Sequence, residues 1–345
     1  MRRALGWACL WLGASACARA LPLAIPDLEA DALFTRHTAW RGGDSAYSVE
    51  LDAGRVLWLF GDSWVGEGQP DSRADRRMTR NTVGVQHGKD PRHSSITFHG
   101  EPFFDDGDGT DATWLWPGPA VRLEGRVLVL LVEVRAAGAG TWGFRAHGSR
   151  AVLLEDVAGP PEVWVQRPIA LPPRPPGVET LGAALVEDGF LYLFSVVEPG
   201  SHDVHLGRVA LSDAARGELG GTQWFDGDGF GRASAARPIL HGGQPEFSVH
   251  RSPAGPLWLV STSSLRSADI VVRRAQEPQG PWSAPQVLYH PPLGDEPNVF
   301  VYSAKAHPSL SGPLRITYCT NHEDFWQMAA RQELYFPRFL ALGSP

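Results

Sequence analysis

Polar and apolar positions alternate over short stretches of this chain and then give way, after a glycine turn, to strongly apolar runs. The form recurs in "YSVELDAGRVLWLFGD" (47–62), "PAVRLEGRVLVLLVEV" (119–134), "GAALVEDGFLYLFSVV" (182–197), "FSVHRSPAGPLWLVST" (247–262) and "SAKAHPSLSGPLRITYC" (303–319). Each copy reads as a short mixed strand, a turn and a core strand, with Gly54, Gly125, Gly189, Gly255 and Gly312 in the turns. The period of about 65 residues leaves room for two further strands per copy. Suitable segments follow the hairpins, among them 81–87 and 94–99, 202–211 and 222–225, and 269–275 and 285–290. Helical periodicity is hard to find, and 38 glycines with 29 prolines favour many short strands joined by turns. The pattern predicts an all-β chain, a five-bladed β-propeller with four-stranded antiparallel blades, whose last blade takes its outer strand from the N-terminal side. A β-sandwich or two stacked β-domains would account for the strands but not for the spacing.

With 345 residues, 43% of them hydrophobic, the chain can bury one large core, and residues 21–345 are expected to form a single propeller domain. A net charge of -7 gives no support to binding nucleic acid or an anionic membrane. Residues 1–20 have a basic start at Arg2 and Arg3, an apolar middle and an Ala18-Arg19-Ala20 end, which reads as a signal peptide. A secreted or periplasmic location is therefore expected. Cys17 offers lipid attachment as an alternative, although Ala14 stands where such sites usually carry leucine. Removal of the segment would leave Cys319 as the sole cysteine and exclude an internal disulfide. No other stretch approaches the ~20 apolar residues of a spanning helix.

The propeller expectation places the start of each hairpin's first strand and the end of its second on one face. Asp44 and Asp62 would then meet at the same rim of the channel, despite their separation in sequence. Asp111 and Trp114, Glu179, Glu246, and Tyr302 with Lys305 open the later copies. Converging carboxylates suit glycoside hydrolysis, which needs one acid to protonate the leaving oxygen and one carboxylate as base or nucleophile. Crowding would hold one of them protonated near neutral pH. Asp44, Asp62 and Glu246 are the catalytic candidates, with turn capping as the alternative role. Trp64, Trp114 and Trp116 are candidates for stacking on sugar rings. Lys305 and His307 alternate with alanines and share one strand face, from which they could hold substrate or tune the acids.

Other motifs are weaker. "DDGDGTD" (105–111) and "DGDG" (226–229) lack the full calcium-loop pattern, and the histidines have no zinc spacing. No phosphate loop or nucleophile elbow occurs. No metal and no cofactor are expected.

The segments "GGDSAYSVEL…LWLFGDSWVG", "RNTVGV", "PEFSVHR", "PQGPWSAPQVLY" and "YSAKAHPSLSGPLRITY" together resemble a secreted bacterial family catalogued as domain of unknown function 4185, from about Thr35 to Leu340. That resemblance implies a fold similar to the five-bladed propellers of arabinanases and fructan hydrolases, and the endo-D-arabinanase activity of some members. It also places the family's acids on Asp44 and Asp62, and adds Asn81 as a candidate for holding a sugar hydroxyl. "TLGAAL" and the Pro-rich "LPPRPPG" loop (171–177) match loosely, so the substrate need not be D-arabinan. The expected partner is a polysaccharide or oligosaccharide, bound by a monomer. A glycan-binding lectin on the same scaffold and a structural envelope protein are the alternatives.

Overall fold

The computed structural model describes residues 21–343 except 70–71, 101, 106, 108–111, 139–142 and 265–266. The signal-like segment, with Cys17, and Asp111 lie outside the described residues. The described chain is all-β, with antiparallel sheets and three short α-helices. Five sheets are built on the five hairpins, and Gly125, Gly189, Gly255 and Gly312 adopt positive φ in the turns.

The first strands of the hairpins, each at one edge of its sheet, are in chain order Tyr47–Glu50, Thr113–Leu123, Val178–Glu187, Ser248–Arg251 and Val299–Ala306. Four of the sheets have four strands. The third departs from expectation with six, because Phe230–Gly231 and Pro238–Leu240 join it. The last sheet takes its outer strand from the N-terminal side, where Ala24–Pro26 pairs with Arg338–Leu342. A small additional sheet of Trp40–Gly43, Ser63–Val65 and Arg77–Thr79, which the hydropathy pattern does not reveal, flanks the first hairpin.

The apolar runs are continuous because the second strands are buried on both faces. In Arg126–Ala136, Val127, Val129 and Leu131 pack toward the preceding sheet, while Leu128 and Leu130 pack toward the following one. Similar clusters fill the gaps between the third and fourth and the fourth and fifth sheets. A fifth joins last to first, where Phe339 and Phe336 meet Trp58, Phe60 and the helix Leu28–Thr35. Every sheet thus has a packed neighbour on each side. A narrow cavity of about 140 Å³ is lined by residues of all five of these strands, including Ser48, Ala120, Ala184, Val249 and Lys305, and by His307 just beyond the last. Among the described residues no helix is long and apolar enough to cross a membrane.

Candidate active site

Asp44 and Asp62 are brought together by two strand pairings. Gly43 pairs with Ser63 in the small sheet and Tyr47 pairs with Leu59 in the first large one, so both aspartates fall in the junction between the sheets. Ser45 and Ala46 adopt left-handed backbone conformations there (φ 61° and 51°), which turns the chain sharply between strands. The glycine of "FGDSW" has a steric reason: a Cβ on Gly61 would overlap Asp44 Oδ1.

Both carboxylates line an open cleft of about 490 Å³, together with Arg80, Trp114, Trp116 and Tyr335. Asp44 Oδ2 accepts hydrogen bonds from the hydroxyls of Tyr302 (2.8 Å) and Tyr335 (3.2 Å). Tyr335 Oη also lies 3.1 Å from the Asp62 carbonyl. Burial, reinforced by Asp62 and Glu246, pushes the Asp44 carboxyl up to about 8. Asp62 is treated differently by its surroundings. Its Oδ1 accepts from Trp116 Nε1 at 2.9 Å, and Arg80 Nη1 lies 3.7 Å from Oδ2. Burial still raises it, but only to about 6, because the indole N–H and the guanidinium favour its charge. The same burial keeps the Tyr302 and Tyr335 phenols un-ionised and able to donate.

Glu246 stands beside this pair. Its Oε2 accepts from Lys305 Nζ at 2.6 Å and lies 2.9 Å from Ser303 Oγ, which is also 2.9 Å from the Ser45 carbonyl. Ser303 sits at the register shift of its strand in a left-handed conformation (φ 62°). That strain lets Tyr302 face Asp44 while Lys305 turns toward Glu246.

Several sequence expectations need correction. Trp64 is no stacking face: it is buried against Met328 and Tyr335, with Phe325 5.7 Å away. Asn81 is wholly buried and does not reach the cleft. Its Nδ2 donates to the Phe104 and Leu115 carbonyls and its Oδ1 accepts from the Phe103 and Phe104 amides, so it brackets a loop. His307 lines the narrow cavity just past the end of its strand, but does not contact the cleft. Its Nδ1 is 2.7 Å from Ser48 Oγ and its Nε2 2.7 Å from Thr317 Oγ1, and burial holds the ring neutral. Lys305 is buried and reaches the acids only through Glu246. Glu179 is not among the cleft-lining residues; its carbonyl accepts from Ser149 and Arg174. Trp114 and Trp116 do line the cleft, 6.1 Å apart and edge to face, but Trp114 is buried with Arg80 over its ring, and only Trp116 is partly exposed.

Three contributors escaped the sequence reading. Arg80 follows Thr79, whose pairing with Ser63 carries it to Asp62, and its guanidinium lies 4.1 Å from the Trp114 ring. Tyr335 is held by Arg73, whose buried guanidinium donates to the carbonyls of Arg41, Met328, Arg331 and Leu334. Trp326 lies just beyond the second strand of the fifth hairpin. Applying the rule that found Asp62 to that hairpin would have pointed to it; nothing local marks Arg80 or Tyr335. Among the described residues no group of three His, Cys, Asp or Glu side chains forms a metal cluster, and "DGDG" is a turn in which Asp226 Oδ1 accepts from the amides of Asp228 and Gly229.

The sequence profile of a family described as Domain of unknown function (DUF5005) matches residues 27–343, and the chain belongs to that family. This is a differently numbered family from the one the sequence resembles. No curated protein matches the chain in sequence. Among solved structures the fold is similar to that of a candidate hydrolase from Bacteroides ovatus, with TM-score 0.71, 20% identity, and 92% of this chain and 89% of that one covered. It is also similar to a GH43_1 enzyme from Xanthomonas citri (TM-score 0.52, 15% identity, 94% and 92% covered). A GH43 beta-xylosidase/alpha-arabinofuranosidase from a compost microbial metagenome is a third (TM-score 0.51, 14% identity, 94% and 96% covered).

Proposed function

We propose that this protein is a five-bladed propeller glycoside hydrolase that cuts furanosidic linkages in a polysaccharide, in the manner of an endo-arabinanase. The observation that carries the reading is a pair of carboxyl groups in one open, tryptophan-lined cleft, held at different proton affinities of about 8 and about 6. Near pH 7 Asp44 keeps its proton and Asp62 is ionised, the division of labour that acetal hydrolysis requires. Asp44 protonates the leaving oxygen; the two tyrosine hydroxyls on Oδ2 leave Oδ1 to carry that proton. Asp62, its charge supported by Trp116 and Arg80, serves as base or nucleophile. Glu246, held by Lys305, is not among the cleft-lining residues and acts from behind, supplying negative charge next to Asp44. Trp116, partly exposed, offers a face for a sugar ring, while Trp114 is buried beneath the Arg80 guanidinium and backs that face.

The propeller reading is supported by five hairpin-based sheets, the apolar clusters between successive sheets, and the Ser48–His307 and Ser45–Ser303 contacts that join last to first. The compost-metagenome neighbour supports the same sense, since its name attaches beta-xylosidase/alpha-arabinofuranosidase to a similar fold. Export to the periplasm or exterior, as a monomer, is part of the proposal and rests on the sequence of residues 1–20.

The test is incubation with arabinans, xylans, fructans and mycobacterial-type wall glycans, followed by measurement of new reducing ends. Asp44→Asn and Asp62→Asn are each expected to abolish release while circular dichroism stays unchanged. Full turnover in both variants would overturn the assignment.

A further inference from the structure

The lip of the cleft carries the one large aromatic side chain, among the described residues, that is mostly in water: Trp326 is 76% exposed. A single wet indole is ordinary on a protein surface, but one that lines both a candidate active site and a neighbouring hollow presents a face on which a ring can stack. Trp326 is not loosely placed. Asp324 Oδ1 accepts from the Trp326 and Gln327 amides (2.8 and 3.1 Å), which fixes the start of the helix Phe325–Ala330. The Phe325 ring stands edge to face with the indole at 5.4 Å and packs in turn against buried Trp64.

On the far side of Trp326 lies a second hollow of about 460 Å³, formed by Asn298, His322, Glu323, Asp324, Phe325 and Trp326. His322, Phe325 and Trp326 line the candidate catalytic cleft as well, so the two depressions adjoin and share the indole. The second hollow mixes an aromatic platform with short polar groups. His322 Nδ1 accepts from the Asp324 amide, which leaves Nε2–H as a donor in the neutral ring.

The geometry points to an extended glycan-binding site in which a neutral sugar chain leaves the Asp44/Asp62 cleft, stacks on Trp326 and enters the second hollow. The inference rests on the glycoside hydrolase reading and deepens it: the substrate is a polymer gripped beyond the bond being cut. Glu323 and Asp324 in the second hollow disfavour a polyanionic strand there, while the charge of Asp62 in the cleft is offset by Arg80.

The test uses binding alone, with Asp62→Asn to prevent turnover, and titrates neutral arabino- and xylo-oligosaccharides of increasing length by calorimetry. Affinity is expected to rise as the chain outgrows the cleft. Adding Trp326→Ala should remove roughly three- to tenfold of that gain, and Trp326→Phe should restore most of it. Length-dependent binding that is indifferent to Trp326, or a preference for uronate-rich chains, overturns the inference and leaves the hydrolase reading in place. An absence of glycan binding at every length overturns both.

Discussion

Replacing Trp116 with phenylalanine removes one donor from Asp62 and keeps an aromatic ring in the cleft. The lost bond, Nε1–H to Oδ1 at 2.9 Å, goes to a group whose side chain is 16% exposed. A hydrogen bond to a charged group is worth about 1.5–3 kcal/mol, and each pKa unit is about 1.4 kcal/mol. Partial replacement by water takes the lower end, so the Asp62 carboxyl should move from about 6 to roughly 7. Asp44, at about 8, has no contact with Trp116 and should stay. The proposed mechanism requires Asp44 protonated and Asp62 ionised, so the wild-type kcat/KM profile is expected to be a bell centred near pH 7, with limbs near the two values. In the variant the acidic limb moves up by about one unit while the basic limb holds. Relative to each protein's own maximum, the loss at pH 6 is then about fourfold, beyond any uniform loss from altered stacking. The measurement is kcat/KM against pH on a soluble oligosaccharide. An unmoved acidic limb, or a shift of the basic limb instead, would refute the assignment of Asp62 as the ionised partner.

Further outcomes follow from the same contacts. The proton on Asp44 is held by the folded protein and not by the unfolded chain between about pH 4 and pH 8, so stability falls as pH rises through that window. Asp44→Asn should therefore raise stability at pH 8, by about 1–3 kcal/mol in urea unfolding, with the gain vanishing near pH 4. Asn81→Ala removes a side chain with four backbone partners and should cost about 2–4 kcal/mol in the same assay. Lys305→Met strands the Glu246 carboxylate and should cost about 2–4 kcal/mol, much of it recovered in the Lys305→Met/Glu246→Gln double variant. Additive losses in that double-mutant cycle would show that the pair does not act as one unit.

The hairpins were legible in the sequence because alternation, apolar runs and turn glycines are local consequences of a strand buried on one face or two. Residues 47–60 and 82–99 fell where the pattern put them. The meeting of Asp44 and Asp62 was legible for a related reason, since a hairpin returns its chain to the face from which it started. The sequence could not tell depth or company. His307 lies just past its strand with its side chain occupied by Ser48 and Thr317, and Asn81 proved to be a loop bracket. Trp64, beside the key aspartate, turned away from the cleft and supports the lip from below.

What separates the two acids chemically was decided by tertiary structure alone. Tyr302 and Tyr335 reach Asp44 from 258 and 291 residues away, and Trp116 reaches Asp62 across 54. Proton affinity depends on which donors and charges stand within a few ångströms in a dry pocket, and only the packing of sheets distant in sequence sets those distances. The sequence by itself determined that Asp44 and Asp62 would lie near each other, while Glu179 and Glu246, from later hairpins, do not line the cleft. Only the folded chain decided which of the two aspartates keeps its proton.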